Sequence, residues 1–123
     1  MALPKRVLVG GSYYNGSTLS VSSAVGDYIL DMAFAQAGAV NAVSLVPSAY
    51  GANDTMKIQH LNTGTTATLA TLAEGIPNVG AKAAWKLDYP ALEKVLTNEV
   101  IRVTYTNTAT VALTLYVVLE RVR

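Results

Sequence analysis

Hydrophobic and polar residues alternate most regularly towards the C-terminal end of the chain. In residues 100–106, Ile101, Val103 and Tyr105 share one face and polar residues share the other, which is typical of a half-buried strand. In residues 110–119 apolar side chains occupy both faces, so we expect that strand to be covered on both sides, at least in part. A short polar link, residues 107–109, separates the two predicted strands.

Further strand patterns occupy the middle of the chain, each bounded by turn-forming residues. They cover residues 27–35, 41–46, 55–61, 66–72 and 81–87. The third and fourth flank the polar residues 62–65, which predicts a tight hairpin in which Gly64 adopts a positive φ.

The period changes in residues 90–96. Leu92, Val95 and Leu96 follow the spacing of one helix face, and Pro90 stands at a favourable first helical position. We therefore expect one short helical turn there.

Counting gives about seven or eight strands at spacings of roughly ten residues, a pattern that favours a β-sandwich over βαβ units. The predicted fold class is an all-β, antiparallel β-sandwich that is jelly-roll-like. Residues 1–26 alternate short apolar pieces with Gly and Ser and are predicted to form an extended N-terminal arm, with the sandwich domain in residues 27–123. The alternative is that the arm lies across its own sheet as an edge strand.

Charged residues make up 14% of the chain, whereas about 25% is usual. Either Thr, Ser and Asn solvate a compact domain, or other chains cover much of its surface, because protein interfaces are depleted in Lys, Glu and Asp. The formal charge is +1 and no basic cluster interleaves with aromatic residues, so we expect no nucleic-acid partner.

Chemistry-bearing side chains are few and scattered. The chain has no cysteine, and His60 is its single histidine, which alternates with Met56 and Ile58 and is interpreted as a packing or solvent-contact residue. The acidic residues stand singly and are read mostly as solvated surface charge, with Asp27 and Asp31 on one face of a strand but too far apart for a catalytic pair. We predict no catalytic residue, no metal site, no cofactor and no enzymatic activity.

Aromatic residues are the remaining candidates for recognition, because Tyr is favoured at protein interfaces. Tyr28, Tyr105 and Tyr116 fall in predicted strands and are assigned to the core or the sheet surface. The predicted partner interface combines residues of the arm with one loop residue: Leu3, Val7, Val9, Tyr13, Tyr14 and Tyr50.

The overall run of features resembles the decoration, or cementing, proteins of tailed-bacteriophage heads. The resemblance rests on the Gly/Ser-rich arm, on GDYIL at residues 26–30, on MKIQHLNTGT at residues 56–65 and on IRVTYTNTATVALTLYVVLE at residues 101–120. It implies a jelly-roll-like sandwich that binds the major capsid protein on the capsid exterior as a dimer or trimer. The chain shows no signal-peptide pattern and no stretch of roughly 18 uninterrupted apolar residues, so we also expect a protein that is made in the host cytoplasm, with no membrane partner.

Two other functions fit the same pattern. A carbohydrate- or ligand-binding sandwich would use Trp85, Tyr89 or Tyr50 as a stacking platform. A component of a phage tail or fibre would share the same sequence features.

Overall fold

The computed structural model describes residues 4–49, 51–77, 82–87 and 91–122. These residues form two β-sheets that face each other across a main hydrophobic core, with a small second cluster formed by Ala33, Leu61 and Val100. The strands are β1 Lys5–Val9, β2 Tyr14–Val21, β3 Gly26–Phe34, β4 Gly38–Pro47, β5 Thr55–Leu61, β6 Thr68–Pro77, β7 Ala83–Lys86, β8 Glu93–Val95, β9 Val100–Asn107 and β10 Leu113–Val122. None of the described segments is a helix long and apolar enough to span a membrane.

Successive strands mostly alternate between the two sheets. Sheet I has the strand order β1-β3-β9-β5-β6, and sheet II has the order β2-β10-β4-β7, with the short strand β8 also paired with β4. The predicted all-β sandwich is therefore present, with ten strands among the described residues.

Alternating side chains of both sheets build the core. In β10, Leu113, Leu115, Val117 and Leu119 are buried, and the residues between them are exposed or half-buried. β9 contributes Ile101, Val103 and Tyr105 from the other sheet, as the period-2 pattern predicted. Each such side chain stabilises the fold by roughly 1.5–3 kcal/mol relative to an exposed position.

The N-terminal residues are part of the sheets. β1 pairs in parallel with β3 at the edge of sheet I, and β2 pairs antiparallel with β10 at the edge of sheet II. For the described residues 4–26, this is the edge-strand alternative of the sequence analysis. The β1–β3 pair is parallel and departs from the predicted antiparallel sandwich, because the chain passes through β2 of sheet II between these two strands.

The predicted helical turn at residues 90–96 is wrong for the described residues 91–96. Glu93–Val95 is the strand β8, which pairs antiparallel with Gly38–Val40 of β4. Burial alternates along it, with Val95 fully buried and Leu96 62% exposed, so the apolar residues do not share a helix face. The expected first helical residue, Pro90, lies outside the described residues.

The β5–β6 hairpin is confirmed, but its turn differs from the prediction. Thr65, with a φ of 53°, takes the left-handed conformation that was expected at Gly64. The Asn62 side-chain oxygen accepts hydrogen bonds from the backbone N–H groups of Thr66 and Ala67, at 2.8 and 3.0 Å. These bonds hold the turn with a threonine in the left-handed position.

The two C-terminal strands do not pair with each other. β9 lies between β3 and β5 in sheet I, while β10 lies between β2 and β4 in sheet II. Each is an inner strand, which explains why this region is so apolar. The link between them crosses from one sheet to the other.

Candidate functional site

The outer surface of sheet II forms a broad face that carries little charge; we call it the open face. Its residues alternate with those that face the core, and they are Tyr14, Gly16, Thr18 and Ser20 of β2, Thr114, Tyr116, Val118 and Glu120 of β10, Ala42, Ser44 and Val46 of β4, and Ala84 and Lys86 of β7. The charged members Glu120 and Lys86 fall in one row at one end, both opposite Ala42. The remaining rows of described strand residues are uncharged, and the Lys5 ammonium of sheet I reaches the edge of the face at Thr18.

The outer surface of sheet I is different. Asp31 and Arg102 pair there across β3 and β9, with distances of 2.7 Å from Nε to Oδ1 and 2.9 Å from Nη2 to Oδ2. Arg6 stands beside Asp31 in the register, and Lys57 projects from β5 on the same side. The outer surface of sheet I thus carries more charged side chains than the open face, although Leu8 is also exposed there. The open face is covered mainly by small, hydroxyl-bearing and apolar side chains.

Large side chains make the open face uneven. Tyr116 is 49% exposed and lies next to Val46, which is 39% exposed, where β10 pairs with β4. An open depression of about 530 Å³ lies beside Tyr116, over Gly16 of β2. It is lined by Lys5, Gly16, Ser17, Thr18, Tyr116, Val117 and Val118.

Two tyrosines occupy the end of the face that carries Glu120. The rings of Tyr13 and Tyr14 stack edge to face, with centroids 4.6 Å apart and planes at 81°. The Tyr13 hydroxyl donates to Glu120 Oε1 at 3.1 Å, which ties the β1–β2 connection to β10. Tyr14 is 64% exposed and is the most exposed aromatic side chain among the described residues.

The predicted interface residues are not all brought together. Tyr13 and Tyr14 are exposed and adjacent, while Val7 is half-buried against the core. Val9 is 1% exposed and belongs to the core, so its side chain is not offered to a partner. The other two predicted members, Leu3 and Tyr50, lie outside the described residues.

Sequence reasoning assigned Tyr116 to the core or the sheet surface and did not select Tyr116, Val46 or Gly16 as members of one candidate interface. The signal was present in residues 110–119, whose second face is also apolar. That pattern was interpreted as a covered strand, but within the described chain this side of β10 is open, and Tyr116 projects from it.

The histidine is buried between two carboxylates. His60 Nδ1 lies 2.7 Å from Glu93 Oε2, and Nε2 lies 2.9 Å from Glu99 Oε1, with His60 itself 4% exposed. Because each ring nitrogen faces a carboxylate oxygen, both donate when the ring is protonated. The Leu96 N–H also donates to Glu99, and with His60 it lowers the pKa of Glu99 although burial opposes this.

This arrangement links strands and presents no open reaction site. β5 of sheet I carries His60, and β8 of sheet II carries Glu93. The two carboxylates contact opposite ring nitrogens and do not converge on a common point. Among the described residues, no group of three or more His, Cys, Asp or Glu side chains is placed to hold a metal ion.

A second carboxylate is buried where solvated charge was expected. Asp54, 1% exposed, accepts hydrogen bonds from the Tyr105 hydroxyl at 2.5 Å and from the Thr108 N–H at 2.7 Å. Burial raises the pKa of Asp54, but the bonds from Tyr105 and Thr108 outweigh it and lower that pKa below its ordinary value. Asp31 is likewise buried, and its hydrogen bonds raise the pKa of Arg102. The interpretation as solvated surface charge was wrong for both aspartates.

The comparisons with known proteins found similar folds but identified no family. No family model matches the sequence, and no curated protein matches it. Among solved structures, the pre-peptidase C-terminal domain of collagenase from Bacillus anthracis is similar, with a TM-score of 0.50 and 9% identity over 97% of this chain and 94% of that one. At this identity the similarity concerns the fold alone.

Two periplasmic inhibitors of g-type lysozyme, both called PliG, are also similar. The protein from Aeromonas hydrophila has a TM-score of 0.48 and 8% identity, with 96% of each chain covered. The protein from Salmonella Typhimurium has a TM-score of 0.47 and 13% identity, covering 95% of this chain and 97% of that one.

Proposed function

We propose that this chain is a structural, non-catalytic protein that binds the exterior of a tailed-phage capsid and stabilises it. The open face of sheet II contacts the major capsid protein. One observation carries the proposal: the rows of this face beyond Glu120 and Lys86 are uncharged, whereas the outer surface of sheet I is charged. Depletion of charge is the compositional mark of an interface core.

A jelly-roll topology is part of the proposal. Leaving out β1 and β8, the strand orders are β2-β10-β4-β7 in one sheet and β3-β9-β5-β6 in the other. Four strands in each sheet, with nearly every connection crossing between sheets, agree with a jelly roll, an architecture that recurs in viral capsid domains. This support is an analogy of fold, because one fold hosts many functions.

The mechanism requires only surface contact. A flat face that binds across the joint between two shell subunits holds both of them. It therefore adds contacts, and association free energy, that the shell lacks by itself. A stable interface of this kind buries about 800 Å² on each partner. Tyr14, Tyr116 and Val46 supply exposed apolar area on that face.

The proposal also includes an oligomeric state and a location. The chain assembles as a dimer or trimer on the virion exterior, after synthesis in the host cytoplasm, and has no membrane partner. A role in a phage tail or fibre would use the same open face and is the nearest alternative.

A carbohydrate-binding function has weaker support. Trp85, the described member of the stacking platform, is half-buried on β7 and packs against the core. Tyr50 and Tyr89 lie outside the described residues. A sugar-stacking ring needs an exposed face, so Trp85 is poorly placed for that role.

The decisive experiment measures binding to empty shells assembled from the major capsid protein of the same genome. Purified chain is mixed with the shells, and bound protein is quantified after sedimentation. Val46→Glu places a carboxylate in an uncharged row of the open face and should reduce occupancy at least tenfold, because the charge would be buried without a partner.

The matched control is Leu69→Glu. Leu69 is 52% exposed on β6 in sheet I, away from the open face, and its replacement should leave occupancy unchanged. Failure of the wild-type chain to bind shells, or equal binding by both variants, would overturn the proposal.

A further inference from the structure

The free edge of sheet II is unusual among the sheet edges of the described residues. β2 is eight residues long and contains neither a charged residue nor proline. The other edges have features that discourage pairing: Lys5 and Arg6 on β1, irregular register and Pro77 on β6, and only four residues in β7.

The backbone of β2 presents hydrogen-bonding groups along this edge. The Lys5 ammonium donates to the Thr18 carbonyl oxygen at 2.6 Å, so the Thr18 carbonyl points away from β10. The Tyr13 carbonyl instead accepts from the Arg121 N–H of β10, at 2.8 Å. Since backbone groups alternate along a strand, Gly16, Thr18 and Ser20 direct their N–H and C=O groups outwards.

The same residues border the depression on the open face. Gly16 forms its floor because no side chain fills the space: a Cβ added there would meet no atom within 4 Å. Tyr116 and Val118 line it on the β10 side. The Lys5 ammonium reaches it from the edge, 3.4 Å from the Thr18 hydroxyl.

We propose that the β2 edge binds an extended peptide segment of a partner protein, which adds to sheet II as a further strand. One apolar side chain of the segment occupies the depression over Gly16. One carboxylate pairs with the Lys5 ammonium, which then leaves the Thr18 carbonyl oxygen free to accept a hydrogen bond from the added strand. The inference rests on the proposed function, because both require that the chain acts by binding a protein. It adds that the bound segment of the partner is extended and carries a carboxylate.

Lys5 decides between a foreign segment and a second copy of this chain. Among the described residues, no carboxylate pairs with its ammonium. Antiparallel pairing of two β2 edges around Thr18 would bring two Lys5 ammonium groups together, which is unfavourable. A segment that carries Asp or Glu removes this conflict and supplies a partner for the charge.

The test uses a displayed library of random ten-residue peptides selected on the immobilised chain. The wild type should enrich peptides that alternate β-branched or aromatic residues with polar ones and include Asp or Glu. Lys5→Glu should exchange this acidic preference for Lys or Arg, because the charge at that end of the site is inverted.

Thr18→Pro removes one outward N–H and is compatible with the fold, because proline is tolerated where the N–H of an edge strand faces solvent. It should weaken binding of a selected peptide at least tenfold, while Thr18→Ala should bind normally. Circular dichroism and urea unfolding check the fold of each variant. Lys5 is exposed, so the charge inversion remains a valid test if the proline variant is unstable.

Absence of enriched peptides, or peptides whose binding ignores both Lys5→Glu and Thr18→Pro, would overturn the inference. So would concentration-dependent dimerisation of the chain alone that Thr18→Pro abolishes, because the edge would then belong to a second copy. If Val46→Glu lost shell binding but still captured peptides, the open face and the β2 edge would be separate binding surfaces. The two proposals can therefore fail independently of each other.

Discussion

Several polar side chains with almost no solvent exposure connect segments that are far apart in the sequence. Asp54 binds Tyr105 and Thr108, and Asn107 donates to the carbonyl oxygen of Ser22 at 2.7 Å. Arg121 donates to the carbonyl oxygens of Gly10 and Ala37, at 2.9 and 3.0 Å. Each bond satisfies a buried group that would otherwise destabilise the fold by about 1–3 kcal/mol.

Replacement of Asp54 by asparagine should reduce the free energy of unfolding by about 2 kcal/mol at pH 7, because charge-assisted hydrogen bonds are lost. The pKa of Asp54 is lowered in the folded state, so its contribution is present above the unfolded pKa and is lost as the pH falls through the folded value. Urea unfolding at pH 7 and at pH 3 should therefore show less pH dependence in the variant than in the wild type.

Asp27→Asn is the control for this measurement. Asp27 is exposed and accepts one hydroxyl hydrogen bond, from Thr106 at 2.8 Å. Its replacement should change stability by less than about 0.5 kcal/mol. An Asp54→Asn variant that unfolds at the same urea concentration as the wild type would refute the assigned role.

The Arg121 side chain depends on a neighbouring glycine. A Cβ on Gly38 would lie 2.8 Å from Cζ of Arg121, whose guanidinium also lies 5.0 Å from the centre of the Phe34 ring. The guanidinium is buried and bonded on two sides, so it has little room to move. Gly38→Ala should destabilise the chain by about 1–3 kcal/mol, as overpacking does.

Gly16→Ala provides the comparison, since Gly16 is also a strand residue without a positive φ but has open space above its Cα. That substitution should leave stability unchanged or raise it by up to about 1 kcal/mol. Thermal unfolding of the two variants measures the difference. Equal melting temperatures would contradict the role assigned to Gly38.

At the scale of elements, β8 illustrates how contacts from distant strands determine a local conformation. Residues 91–96 have a helix-like spacing, yet β4 offers a free edge to residues 93–95, and His60 binds Glu93 from the opposite sheet. A segment of three paired residues has little intrinsic preference, so the surrounding sheets decide its structure.

His60→Leu should loosen β8 specifically. The change leaves Glu93 and Glu99 without the imidazole that bridges them, and the two carboxylates would then repel each other. Hydrogen exchange should become faster at the amides of residues 93–95, while β3 and β9 stay protected. Gln59→Leu is the control, because Gln59 precedes His60 in β5 and faces the outer side of the sheet. Equal amide exchange rates at residues 93–95 in both variants would contradict the bridging role of His60.

Most individual strands could be predicted because their patterns are local. Tyr28, Leu30, Met32 and Phe34 alternate in the sequence and are buried together in β3. The partners could not be predicted in the same way: Asp31 meets Arg102 across 71 positions, and Arg121 meets Gly10 across 111. Burial of these charges depends on sheet order, which no local spacing encodes.

The candidate site was predicted only in part. Tyr13 and Tyr14 were identified because aromatic residues in a Gly- and Ser-rich segment stand out, and both are exposed. The open face was missed because it unites residues of β2, β4, β7 and β10, whose order in sheet II differs from their order in the chain. The residues of such a face can be identified only when the order and register of all four strands are known.

On the scale of the whole molecule, the two sheets present different outer surfaces. Sheet I carries a charged outer surface and the β5–β6 hairpin, and sheet II carries the open face and the β2 edge. Among the described residues, the outer surface of sheet II is therefore poorer in charged side chains than that of sheet I. This difference in charge is the basis of the proposal that the open face binds another protein.

The position of β10 between β2 and β4 has a consequence for synthesis on the ribosome. Strands β2 and β4 leave the exit tunnel long before residues 113–122, so the edges that pair with β10 stay open, with their backbone groups bonded only to water, until the tenth strand arrives between them. Nascent chains stalled before residue 113 should therefore be recognised by chaperones or proteases, and release of the completed tenth strand should end that vulnerability.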